Sequence, residues 1–167
     1  MSTPGQTIGP FFAHALPYPG GPDLVPPGSP GAIRLHGRVL DGHGAPVPDA
    51  LLEIRQAGPD GRVPQEAGSL HRDGWTFTGW GRAATDGEGR YAFTTLEPRG
   101  FVAMTVFARG LLDALFTRVY PPGATDPFLD TLPPQRRATL LARMDAHGLR
   151  FDVVLQGAAE TVFLAHR

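Results

Sequence analysis

Apolar and polar side chains alternate most clearly from Ile33 onward, and the rest of the chain can be placed around that stretch. Ile33, Leu35, Gly37 and Val39 interleave with Arg34, His36, Arg38 and Leu40, the two-residue period of a strand with one buried face. A second run, Ala50 to Arg55, alternates less cleanly and fits a strand covered on both sides. Between them, Asp41-Gly42-His43-Gly44 supplies the glycines and the aspartate of a tight reversal. Pro46 and Pro48 cannot donate to a central ladder, so they belong to the connection or to a sheet edge.

Further runs follow the same period. Asp86-Gly87-Glu88-Gly89 reads as a second reversal, and Arg90–Leu96 follows it with Tyr91, Phe93 and Thr95 on one face. Phe101–Ala108 is apolar on both faces and predicts a central strand. Leu115–Tyr120, Leu149–Leu155 and Thr161–Leu164 complete the strands. Gln135–His147 predicts a helix, with Leu140, Leu141 and Met144 on one stripe and Gly148 as its stop. Short strands with a single helix, in the C-terminal half, predict an all-β antiparallel sandwich forming one domain over residues 1–167. Within it, residues 31–167 form the sandwich core and residues 1–30 a long irregular arm, because prolines and glycines interrupt that segment throughout. Ile8, Phe11, Phe12, Leu16 and Tyr18 are too apolar for a free tail. The arm therefore lies against a surface, this chain's own sandwich or a neighbouring subunit, and is expected to pack on the partner subunit.

Composition narrows the classes. With 22 glycines and 18 prolines among 167 residues, and clear alternating runs, the chain is turn-rich and not disordered. A net charge of −1 leaves no electrostatic footprint for nucleic acid or an anionic membrane. No apolar run approaches bilayer-spanning length, and the first residues lack the basic start and apolar stretch of a secretion signal. The absence of cysteine excludes disulfides and thiolate metal sites and points to the cytoplasm.

Local motifs offer little chemistry. There is no G-x-S-x-G elbow, and the glycine-rich turns precede strands, so they are not phosphate cradles. The six histidines form no H-x-H or H-x-x-x-H pair. Arg109 stands out in the apolar run VFARGLL. An unpaired buried guanidinium is costly. Arg109 is thus either a strand-end arginine reaching an internal carboxylate, or an anion hook at a cleft mouth whose planar fork suits a carboxylate.

Longer segments carry a resemblance. TPGQTIGPFF, GRVLDGHGAPVPDALLEIRQA, GWGRAATDGEGRYAFTTLEP, VFARGLLDALFTRVYPP, PPQRRATLLAR and RFDVVLQGAAETVFL together resemble the protocatechuate 3,4-dioxygenase α subunits, within the intradiol ring-cleaving dioxygenases. The resemblance implies a prealbumin-like antiparallel β-sandwich paired with a homologous β subunit in a large αβ hetero-oligomer that acts on protocatechuate and O₂. It implies that the non-haem Fe(III) is held by two tyrosines and two histidines of the β subunit, and not by this chain. At the matching positions this chain has Val63 after Gly61-Arg62, and Phe101-Val102-Ala103 in place of an H-x-H pair. The loop between Pro98 and Phe101, which would carry the second tyrosine, is short. The resemblance also implies that this chain forms a wall of the substrate pocket through Thr7, Gly9, Pro10 and Arg109, with no catalytic or metal-binding residue of its own. Without it, Thr7, Gly9 and Pro10 read as a turn. The other class open to the sequence is a non-catalytic prealbumin-like module that binds a ligand or partner. A self-sufficient homo-oligomeric dioxygenase is opposed by the missing ligands.

Overall fold

A computed structural model describes residues 7, 9, 11–65 and 72–165. Two sheets pack face to face. The first contains β1 (Ala32–Leu40), β4 (Arg90–Leu96), β7 (Arg143–Asp145), β8 (Gly148–Arg150) and β9 (Val153–Val154), in the order β4-β1-β8-β7 with β9 also on β1. The second has the order β3-β2-β5-β6, from β2 (Leu51–Gln56), β3 (Trp80–Ala84), β5 (Val102–Phe107) and β6 (Leu115–Val119). Pairing is antiparallel except where β1 meets β8 and β9, which run parallel to it.

Alternation decides what fills the core. Leu35 and Val39 of β1 and Tyr91 and Phe93 of β4 face Leu52 and Ile54 of β2 and Val102, Met104 and Val106 of β5. The intervening positions point outward. One polar bridge crosses this apolar layer. Buried Gln56 on β2 donates to the Leu96 carbonyl (3.0 Å) and accepts from the Thr95 hydroxyl (2.8 Å) on β4. A buried amide needs such partners, and here both of its ends are satisfied.

The arm seals the gap between the sheet edges. Gly21 O accepts from Arg82 N on β3, while Pro22 O and Leu24 N bond the backbone of Thr94 on β4. Leu24 enters the core. This part of the arm therefore packs on its own sandwich, because β3 and β4 leave two ladders to be covered there. The arm is also less irregular than the prolines suggest. One helical turn, α1 (Phe12–Ala15), fits in the proline-free interval before Pro17, with the Phe11 and Phe12 carbonyls accepting its amides.

The C-terminal half departs further from expectation. Instead of one helix over Gln135–His147 there are two single turns, α2 (Pro127–Asp130) and α3 (Pro134–Ala138). After Ala138 the backbone pairs with Tyr120, which donates to the Leu140 carbonyl and accepts from Ala142 N. The Thr139 hydroxyl turns back on the Arg136 carbonyl. Arg143–Asp145 then becomes β7, reversing into β8 with Asp145 accepting from His147 N (2.7 Å). Met144, placed by the helical stripe on a buried face, is instead exposed. Tertiary pairing has overridden helix propensity here. Trp80–Ala84, read only as a lead-in to a turn, is a full strand. Leu149–Leu155 is split into β8 and β9, and 161–164 runs beside β6 through Thr117 Oγ1→Val162 O and Leu164 N→Phe116 O without a strand ladder of its own.

Candidate functional site

Arg109 sits where β5 has ended. The amide of Leu111 bonds the Ala108 carbonyl (3.2 Å), and Gly110 takes φ +91° inside that turn, a conformation suited to glycine. The register of β2 on β5 pairs Leu51 with Phe107, and continuing it sets Asp49 opposite Arg109. The two side chains meet: Asp49 Oδ2 lies 3.0 Å from Arg109 Nε. The guanidinium side chain is 62% exposed and the carboxylate only 18%. The strand-end arginine reaching a carboxylate is therefore what the structure shows. Most of the guanidinium still faces solvent.

Thr7 and Gly9 are exposed, and a Cβ at Gly9 would meet nothing within 4 Å. Pro10 lies outside the described residues. No contact among the described residues joins Thr7 or Gly9 to Arg109. Two surface cavities, of about 510 Å³ beside α3 and about 450 Å³ beside Pro98, are lined by other residues. Thr7, Gly9 and Arg109 are thus displayed on the surface of this chain.

The arm behind Thr7 and Gly9 is firmly anchored. Arg72 donates to the carbonyls of Gly20, Gly21 and Trp80, to the Tyr18 hydroxyl and to the Thr78 hydroxyl, at 2.8–3.2 Å. Arg82 bonds Glu53 and the Leu16 carbonyl and lies over the Trp80 ring, on which Tyr18 stacks. Both arginines escaped the sequence reading. Arg72 follows a polar loop that has no periodicity to expose it. The alternation of Arg82 with Gly81 and Ala83 could have marked it as an outward strand position.

The positions where the resemblance would put metal ligands have a different occupancy. Phe101 precedes β5 and Ala103 lies on its outer side, where the register places Ala103 between Arg55 of β2 and Arg118 of β6. The Arg118 guanidinium carbon is 4.3 Å from the Phe101 ring centre and 5.1 Å from that of Phe128. Tyr120 accepts from Arg118 and donates to Asp126 Oδ2 (3.0 Å), whose other oxygen caps α2. Val63 is half exposed in its loop. Two guanidinium groups and apolar side chains stand where a cation would need anionic or imidazole donors. No three His, Asp or Glu side chains converge to hold a metal among the described residues. All three tyrosines have phenols pushed above their ordinary range, chiefly by burial: Tyr18, Tyr120 and, most strongly, Tyr91, which donates to the Phe151 carbonyl (2.6 Å). Among the described residues, those at these positions do not fit an iron site.

Comparison with known proteins settles the family. Residues 9–125 match the family model described as Dioxygenase. This chain belongs to that family, the intradiol dioxygenases. It is 38% identical to the protocatechuate 3,4-dioxygenase alpha chain of Burkholderia cepacia, over 96% of this chain and 95% of that one. To the beta chain from the same organism it is 33% identical, over 77% of this chain and 66% of the other. The dioxygenase domain of a dioxygenase–carbohydrate-binding fusion from Streptomyces sp. SirexAA-E superposes with a TM-score of 0.56 at 25% identity, covering 82% of this chain and 88% of that one. The intradiol dioxygenase sandwich is thus the scaffold on which Arg109, Thr7 and Gly9 are displayed.

Proposed function

We propose that this chain is the non-metallated α subunit of an αβ protocatechuate 3,4-dioxygenase. In this reading the homologous β subunit carries the Fe(III), and the two subunits together enclose the pocket. There, both atoms of O₂ enter protocatechuate between its hydroxylated carbons, giving 3-carboxy-cis,cis-muconate. The observation that carries the reading is the mismatch within a dioxygenase sandwich. The chain matches an alpha chain over nearly its full length, while Arg118, Phe101 and Ala103 stand where iron donors are expected.

What this chain contributes follows from its own residues. Arg109 holds a fixed cation at a strand end, with most of its guanidinium exposed. An exposed ion pair contributes little in water, and it gains strength when a second surface covers it and excludes solvent. Protocatechuate has a ring carboxylate that takes no part in ring cleavage, and the guanidinium fork suits it. Thr7, Gly9 and Pro10 lead into an anchored arm and offer backbone that approaches an aromatic ring closely. The assembly is a large αβ hetero-oligomer acting in the cytoplasm.

Arg109→Ala in the assembled complex tests this. A hydrogen bond to a charged group contributes about 1.5–3 kcal/mol, so KM for protocatechuate should rise roughly ten- to a hundredfold. Turnover should change less, because the contact is alike in ground and transition states. Catechol, which lacks the carboxylate, should lose little. Equal losses on both substrates with iron retained would show that Arg109 shapes the pocket and does not grip the carboxylate.

A further inference from the structure

We infer that Asp49 is a positioning residue for Arg109, holding the guanidinium so that its free donors face the substrate carboxylate; this rests on the reading of Arg109 given above. Three observations carry it. First, the last pair of the β2–β5 ladder is Leu51 with Phe107, so the sheet brings the turn that carries Asp49 and the turn that carries Arg109 to the same end. Second, Asp49 Oδ2 and Arg109 Nε form an ion pair at 3.0 Å, and Arg109 has no other partner among the described residues. A guanidinium restrained at Nε still offers the outer pair of N–H groups that bind a carboxylate in a fork. Third, the two groups differ in freedom. The Asp49 side chain is mostly buried and sits beside fully buried Ala50, while Arg109 is exposed and attached through a turn. The carboxylate is thus the fixed member of the pair and the guanidinium the guided one.

Arginine has several rotatable bonds, and each must be fixed before a bidentate contact can form. Ordering a long side chain at an interface opposes binding, and a restraint present before the ligand arrives removes part of that cost. Asp49 also offsets some of the arginine's charge. Its removal therefore leaves a stronger but wandering cation, and the direction of the change in KM separates the two effects.

The test uses the assembled, iron-loaded αβ enzyme with Asp49→Asn, Asp49→Ala, Arg109→Ala and the double variant Asp49→Ala/Arg109→Ala, each assayed on protocatechuate and on catechol. The expected result is a rise of about three- to tenfold in KM for protocatechuate in Asp49→Ala, a part of the loss expected of Arg109→Ala. Asp49→Asn keeps a side-chain oxygen toward Nε and should fall between Asp49→Ala and the parent. KM for catechol and both turnover numbers should stay near the parent values. The double variant should be no worse than Arg109→Ala, because the restraint has nothing left to act on. If Arg109→Ala raises KM selectively while Asp49→Ala leaves it unchanged or lowers it, the positioning role is overturned and the reading of Arg109 survives. If Arg109→Ala shows no selectivity for the carboxylated substrate, both are overturned. Circular dichroism and iron content on every variant show whether a loss reflects misfolding. Should Asp49→Ala misassemble, Asp49→Asn alone decides: an unchanged protocatechuate KM in a correctly assembled enzyme also overturns the role.

Discussion

Gly37 lies in the middle of the longest strand, where a branched residue would ordinarily be favoured. Its place in the alternation is that of a buried position, yet a Cβ there would overlap the Phe151 carbonyl oxygen and come within 3.1 Å of the Tyr91 hydroxyl. That carbonyl accepts the Tyr91 O–H at 2.6 Å, and Phe151 N bonds the His36 carbonyl at 2.8 Å. The C-terminal segment is therefore fastened across β1 at the one residue with no side chain. Neither the glycine nor the phenylalanine announces this crossing in sequence, because Phe151 is more than a hundred positions from Gly37 and His36 and 60 from Tyr91. Gly37→Ala must push backbone against backbone, which has no flexible end to yield. We expect it to destabilise the fold by about 3 kcal/mol, read as a lowered denaturation midpoint at unchanged slope. A variant as stable as the parent would show that Phe151 can shift freely.

At the scale of elements, strands with an unbroken two-residue period were legible. Arg90–Leu96 is β4 to the residue, and Phe101–Ala108 contains β5, flanked by β2 and β6 as a central strand should be. The helix was not legible, because Leu140 and Leu141 are buried by Tyr120 and its neighbours around an extended backbone and not along a helical stripe. The arm shows the same limit, since its anchors are long-range: Arg72 on Tyr18, Arg82 on the Leu16 carbonyl and Leu24 in the core. Those anchors all lie after Phe11. Deleting the residues before Phe11 should therefore leave the denaturation midpoint within about 0.5 kcal/mol of the parent. In the αβ complex the same deletion should lower kcat/KM about tenfold or more, as expected when a positioning surface is lost. Normal turnover by the assembled, truncated complex would remove Thr7, Gly9 and Pro10 from the pocket wall.

For the whole molecule, the sandwich and the family could be read from sequence because strand pattern and long motifs survive without any partner. The candidate site could be read only in outline. Arg109 was conspicuous as a charge in an apolar run, but its partner Asp49 is sixty residues away in the chain and becomes its neighbour only where the turns beyond the β2–β5 ladder meet. The Arg118–Phe101–Phe128 stack was hidden for the same reason. These features fit the proposal of a chain that keeps the dioxygenase scaffold, with Arg118, Phe101 and Ala103 at the positions where the resemblance would put metal ligands. Metal analysis combined with visible absorption, on the folded chain alone and on its complex with the β subunit, tests that claim most directly. The chain alone should hold no stoichiometric iron and show no tyrosinate-to-iron absorption, while the complex should show both. A full equivalent of tightly held iron in the isolated, folded chain would contradict it.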